Sequence, residues 1–202
     1  SISAQIKNKS VLITGGAGSI GSEIVRQIIN FNPRQIVILD QAESPLHNLQ
    51  LEISDLNKKI NFITALVDVR NRDELEKIFK KYKPDYVYHA AAYKHVPLME
   101  ENPSQAIFTN VIGTKNLADL SSKYLVEKFV LISTDKAVNP SSVMGASKRI
   151  AEKYVQLARD SHSSGDPVSA ESYLQHAEHY LRLIAAAQTQ QLAAQQAVMG
   201  GA

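Results

Sequence analysis

The sequence predicts an α/β domain built on a doubly wound parallel sheet. Short apolar runs alternate with amphipathic segments up to about residue 155. Those runs suit strands buried on both faces. The first of them passes through a glycine-rich turn straight into a helix. Strands are expected at Ser10–Thr14, Gln35–Leu39, Ile60–Val67, Tyr86–His89 and Lys128–Thr134. Helices fill the gaps at Ser19–Asn30, Pro45–Asn57, Arg72–Tyr82, Pro103–Tyr124 and Ser142–Asp160. Right-handed crossovers favour the order 3-2-1-4-5, so a ligand is expected at the switch point between the first and fourth strands.

The first strand, Val11-Leu12-Ile13, opens into Thr14-Gly15-Gly16-Ala17-Gly18-Ser19-Ile20-Gly21. Two glycine spacings fit a dinucleotide loop, Gly16-x-Gly18-x-x-Gly21 and Gly15-x-x-Gly18-x-x-Gly21. Glycines permit the tight turn and let a pyrophosphate reach the backbone, while the helix start at Ser19, Ile20 and Gly21 offers free N–H groups. A turn that binds nothing is the rival reading. The second strand ends at Asp40, 19 residues after Gly21. A carboxylate there can bind both ribose hydroxyls and repel a 2′-phosphate, which favours NAD over NADP. Asp40 could instead only cap the next helix. The third strand runs into Asp68-Val69, which could meet adenine or form an ordinary turn.

The fifth strand, Phe129-Val130-Leu131-Ile132, leads into Ser133-Thr134-Asp135-Lys136 and then a helix carrying Met144 and Lys148. An acid and an amine at a strand end lie where α/β enzymes keep their chemistry. An exposed Asp135–Lys136 ion pair and a solvated Lys148 are the plain alternatives.

Composition narrows the class. At 202 residues the chain suits one domain with a small appendage, and 44% hydrophobic residues suffice for a core. A net charge of +2 is too mild to argue for nucleic acid. Without cysteine there are no disulfides or thiolate metal sites. The first residues lack an apolar signal core, and no run approaches the roughly 20 apolar residues of a membrane span. A soluble chain without a membrane segment is expected.

The last 40 or so residues differ in character. Ser161–Pro167 reads as a turn, with Asp166 as N-cap and Pro167 at the first helical position. Tyr173, Ala177, Tyr180, Leu181 and Ile184 then recur at helical spacing. The expectation is a helical hairpin against the Ser142–Asp160 helix, dividing the chain into a 1–160 domain and a 161–202 tail. Its apolar side could also support a homodimer through helices. His176-x-x-His179 lacks a third ligand, so no metal site is expected.

Taken together, Thr14–Gly21, His89-Ala90-Ala91-Ala92-Tyr93-Lys94-His95-Val96-Pro97-Leu98-Met99-Glu100, Thr109-Asn110-Val111-Ile112-Gly113-Thr114 and Ser133–Lys148 resemble the extended short-chain dehydrogenases. Within them the likeness is to the nucleotide-sugar 4,6-dehydratases of polysaccharide biosynthesis, over about residues 6–155. In that family Met144 stands where a tyrosine is usual, and many members of this branch share the methionine. The resemblance implies a UDP-N-acetylglucosamine-type substrate and an internal redox cycle. NAD⁺ takes hydride from sugar C4, a base removes the C5 proton, an acid helps the C6 hydroxyl leave, and NADH returns hydride to C6.

By the same resemblance, Thr134 bonds the C4 oxygen, Asp135 is the acid, Lys136 the base, and Lys148 holds the nicotinamide ribose. Lys94 contacts cofactor or substrate, Asn110 supports the active-site backbone, and Ala90 and Ala91 line the cofactor. His95 reads as a hydrogen-bonded structural residue and Met144 as packing. For this chemistry near neutral pH, Lys136 must fall and Asp135 rise by about 3 pKa units each, which needs a dry site. The resemblance also implies a cytoplasmic setting, often as a domain of an inner-membrane protein. Family members continue with further strands and a substrate lobe, whereas the likeness here ends near Tyr154-Val155. A chimeric or truncated chain is therefore expected, one that binds NAD with little turnover. A sugar epimerase and an NAD-binding module with an interaction tail are the alternative readings.

Overall fold

The computed structural model describes residues 2–56 and 60–164. Five parallel strands, β1 (Ser10–Thr14), β2 (Gln35–Asp40), β3 (Phe62–Leu66), β4 (Tyr86–His89) and β5 (Lys128–Leu131), form one sheet. Their order is β3-β2-β1-β4-β5, as the crossover argument predicts. All five residues of β1 are buried, and Val11, Leu12 and Ile13 pair with β2 on one side and β4 on the other.

Each sheet face carries its own core. Val11, Ile13, Ile36 and Ile38 pack under α2 (Ser19–Ile29) and α3 (Glu43–Asp55). Leu12, Val37, Leu39 and Val87 pack under α4 (Arg72–Tyr82) and α7 (Thr114–Lys123), against Phe79, Leu117 and Leu120. Fully burying each such side chain is worth roughly 1.5–3 kcal/mol, so the alternating apolar strands hold the sheet between its helices. A short α1 (Ile2–Ile6) adds Ile6 to the first core.

Several boundaries move from their expected places. Helix α3 starts at Glu43 rather than Pro45, because a proline in the first turn forfeits no helical hydrogen bond: the first one runs from Leu46 N to Ala42 O at 3.1 Å. Strand β5 ends at Leu131, its last paired residue, which stands opposite His89, where β4 stops. Ser133 and Thr134 are thereby left outside the ladder. The expected Pro103–Tyr124 helix is three pieces: α6 (Pro103–Ile107), a π-helical segment (Phe108–Gly113) and α7. It is preceded by α5 (Val96–Glu101), absent from the sequence reading.

The last described element, α8 (Val143–Ser164), continues past the expected turn at Ser161. No glycine or proline lies in Ser161–Ser164, and serine and histidine each cost a helix only about 0.7 kcal/mol or less. The expected second helix over Val168–Ala187, with His176 and His179, lies outside the described residues. Among the described residues no helix is long and apolar enough to cross a membrane, and no cluster could hold a metal.

Candidate functional site

The crevice lies at the carboxyl ends of the strands, where β1 meets β4. Two of its glycines are required by geometry. Gly15 has φ +66°, and a Cβ there would stand 2.4 Å from Ala91 N; a Cβ on Gly21 would stand 2.0 Å from the Gly15 carbonyl oxygen. The close approach of loop, helix and β4 connection therefore depends on bare backbone. Gly18 precedes α2 and no side chain caps that helix, so its first N–H groups remain available to an anion.

Two cavities share Gly15, Gly18, Ala90 and Ala92. The first, about 240 Å³, runs toward β2 and β3, with Asp40, Val67, Val69, Ala91 and Thr109 in its wall. Both Asp40 oxygens already accept main-chain hydrogen bonds, from Ala17 N at 3.0 Å and Ala42 N at 2.9 Å. Asp40 thus ties the glycine loop to the start of α3. Each oxygen keeps a second lone pair that a ribose hydroxyl could use, so anchoring and ribose binding are compatible here.

Asp68 takes the second of the two readings, a turn: its Oδ1 accepts from Arg70 N at 2.9 Å. Its carboxylate turns to Arg70, with Nε at 2.8 Å and Nη2 at 2.5 Å, and it is absent from the cavity wall that Val69 joins. The guanidinium holds the Asp68 carboxyl below its ordinary range against the opposing effect of burial. Of the Asp68-Val69 pair, only Val69 lines the cavity.

The second cavity, about 440 Å³, extends from Ser19, Ile20 and Gly21 to Thr134, Lys136, Met144 and Lys148. Lys94 also lines it, its Nζ donating to Ser19 Oγ at 3.3 Å over the start of α2. Lys148 is 7% exposed rather than solvated, and its Nζ donates to the Ile132 carbonyl at 3.1 Å. Burial pushes its pKa down, opposed by Glu152.

Asp135 and Lys136 sit together on a 3-10 turn (Asp135–Ala137) just after β5. Lys136 lines the cavity; Asp135 does not, but its Oδ1 accepts from Thr134 Oγ1 at 3.0 Å and from Lys136 N at 3.0 Å. Both side chains are exposed, and among the described ion pairs none joins them.

Met144 is 2% exposed and packs with Met99 and Ala106. The position therefore contributes packing, not a proton. Asn110 is 1% exposed and does not line either cavity. Its Oδ1 accepts from Tyr93 N at 2.8 Å, and its Nδ2 donates to Tyr93 O at 3.1 Å and Ser147 Oγ at 2.9 Å. It pins the chain after β4 to α8, beside Lys148.

The sequence reading missed His89 as a hub. Thr114 Oγ1 donates to the Asn110 carbonyl at 2.6 Å, so it accepts from His89 Nε2–H at 2.9 Å. That leaves His89 Nδ1 to accept from Thr14 Oγ1 at 2.7 Å. Burial, with Lys148 nearby, pushes His89 down to about 3. A histidine closing an otherwise apolar strand was the available signal. Gln41, Tyr93 and Thr109 were also missed as cavity-lining residues. His95, read as a hydrogen-bonded structural residue, is instead exposed and lines the second cavity.

Fold and crevice together define a Rossmann-type domain of the extended short-chain dehydrogenase/reductase class. More narrowly, the chain belongs to the polysaccharide biosynthesis protein family, whose pattern it matches over residues 11–172. It is 52% identical over 155 residues to the probable polysaccharide biosynthesis protein EpsC of Bacillus subtilis, a match covering 76% of this chain and 26% of that protein. It is 36% identical over 153 residues to a UDP-N-acetylglucosamine 4,6-dehydratase (inverting) of Campylobacter jejuni, covering 75% of this chain and 44% of the other.

Among solved structures, Pen from Bacillus thuringiensis aligns with a TM-score of 0.73 at 34% identity, over 79% of this chain and 48% of that one. A Thermus thermophilus UDP-glucose 4-epimerase in complex with NAD aligns at 0.63 and 27% identity, over 76% and 52%. The chain thus spans between about a quarter and a half of the length of these relatives.

Proposed function

We propose that this chain carries the NAD-binding and reactive core of a nucleotide-sugar 4,6-dehydratase acting on a UDP-N-acetylglucosamine-type substrate. One observation carries the reading: Thr134, Lys136 and Lys148 line a single cavity with the uncapped start of α2. The Campylobacter jejuni dehydratase likeness supports the choice of chemistry. So does the acid–amine pair after Thr134, at a site where the buried Met144 can neither take nor give a proton.

NAD fits the residues present. Gly15, Gly18, Ser19, Ile20 and Gly21 would face its pyrophosphate, Asp40 its adenosine ribose, Val69, Ala90 and Ala91 its adenine side, and Lys94 and Lys148 its nicotinamide half. Bound there, it would accept hydride from the sugar's C4 and return it to C6. The chain's own groups do the rest. As hydride leaves C4, Thr134 Oγ1 accepts the C4 hydroxyl proton and passes its own to Asp135 Oδ1, to which it is bonded, while Lys148 places positive charge beside the C4 oxygen. Lys136, brought out of water by the sugar, takes the C5 proton and returns it to C5 once hydride has been added at C6. Asp135, bonded to the Thr134 hydroxyl, supplies a proton to the departing C6 hydroxyl, which leaves as water.

Because Asp135 and Lys136 are exposed, residues 1–202 by themselves bind NAD with little or no turnover. Incubation with NAD and UDP-N-acetylglucosamine, followed by mass spectrometry for loss of one water, tests this. Turnover at about 1 per second or faster, the scale of ordinary enzymes, would show that the exposed pair suffices unaided. Failure to bind NAD would overturn the whole reading.

A further inference from the structure

In the wall of the adenosine-side cavity a hydrogen bond joins distant parts of the chain. Gln41 Nε2 donates to Tyr93 Oη at 3.3 Å, and both residues line that cavity. Gln41 follows β2 and Tyr93 follows β4, so the contact spans the crevice from one neighbour of β1 to the other.

The two arms differ in stiffness. The backbone of Tyr93 is held at both its N–H and its carbonyl by the buried Asn110 side chain. A phenol ring on a pinned backbone has few rotamers to lose. Gln41 is exposed, but it lies between Asp40, bonded to the glycine loop, and Ala42, whose N–H bonds back to Asp40. A lone exposed hydrogen bond opens easily, since its net worth is small. With a nucleoside beneath it, however, closing it adds a barrier to release.

We propose that Gln41 and Tyr93 form a clasp that closes over the adenosine half of a bound dinucleotide and slows its departure. The clasp rests on the NAD reading above. A cofactor that is reduced and reoxidised within one turnover has no need to exchange, so slow release suits that chemistry.

The test is a stopped-flow displacement measurement on the 202-residue chain, with NAD and ADP-ribose as probes. Tyr93→Phe removes the hydroxyl and keeps the ring; Gln41→Ala removes the other arm. Each should raise the release rate of both probes by about 2- to 10-fold, the range one net hydrogen bond supports. The double variant should release no faster than the faster single one. Unfolding midpoints matching the unsubstituted chain would establish that the fold is intact. Release at the unsubstituted rate in both single variants, or effects that multiply in the double variant, would overturn the clasp. Absence of NAD binding by the unsubstituted chain would instead bring down the cofactor reading, and the clasp with it.

Discussion

The end of the crevice proposed for adenosine runs from β1 past β2 to residues that follow β3, one edge of the sheet, whereas the proposed reactive end hangs from β5, the other edge among the described residues. Every residue of β1 is buried, and so are four of the six in β2; in β5 the first is exposed and the other three are only half-buried. The same contrast holds for the acids. One Asp40 oxygen is bound to the glycine loop at Ala17 N and the other to Ala42 N two residues on, while the exposed Asp135 carboxylate is bonded to its immediate neighbours Thr134 and Lys136. Lys148 and His89 are the exceptions near the reactive end, both buried and fixed by neighbouring elements. The end proposed for the cofactor is thus held by buried strands and by main-chain hydrogen bonds. The Asp135–Lys136 pair stands open to solvent.

The sharpest way to break that contrast is to spoil the packed end. Gly21→Val puts side-chain atoms where Gly15 O already stands 2.0 Å from an ideal Cβ. NAD affinity should fall by at least about 100-fold, or about 2.7 kcal/mol, as read by calorimetry. Asp40→Ala should weaken NAD about tenfold, or about 1.4 kcal/mol, and remove the preference over NADP. Unchanged affinity in that variant would leave Asp40 as an anchor of the loop and nothing more.

A third probe addresses the buried hub. His89 is held at about 3, well below the ordinary 6.5, so the folded chain resists a proton that the unfolded chain accepts. Stability should therefore be complete above about pH 6.5 and fall as pH drops toward 3, by up to roughly 1.4 kcal/mol per pH unit from this one group. Between about pH 6 and 5 ordinary carboxylates stay ionised. Denaturant titrations in that window should show the slope, and His89→Gln should flatten it. An equal slope in the variant would assign it to the other histidines.

The smallest effects belong to the exposed pair. Asp135→Asn and Lys136→Ala should each change stability by less than about 0.5 kcal/mol, as exposed positions do, and should leave NAD affinity within twofold of the unsubstituted chain. A large loss in either would mean that the reactive end is as tightly built as the cofactor end.

The sequence and the structure agree best where the signal is local. Apolar runs marked five strands, and the glycine turn with Asp40 placed the crevice before any side chain was seen. Disagreements fall where tertiary partners decide. The Pro103–Tyr124 run reads as one helix, yet Asn110 and Thr114 are polar residues buried within it. Their partners Tyr93, His89 and Ser147 come from other elements, and a π-helical segment holds Asn110 against them. Likewise nothing near Asp68 in a propensity sense announced that Arg70 would claim its carboxylate. Burial of Lys148 was also invisible, because a lysine on a helix is ordinarily solvated.

On the proposed function, residues 1–202 hold an NAD site of their own although Asp135 and Lys136 are open to water. Calorimetric titration of the chain with NAD and then NADP tests it most directly. Saturable one-to-one binding of NAD, clearly tighter than NADP, is the predicted result. No binding, or NADP bound as tightly as NAD, would contradict it.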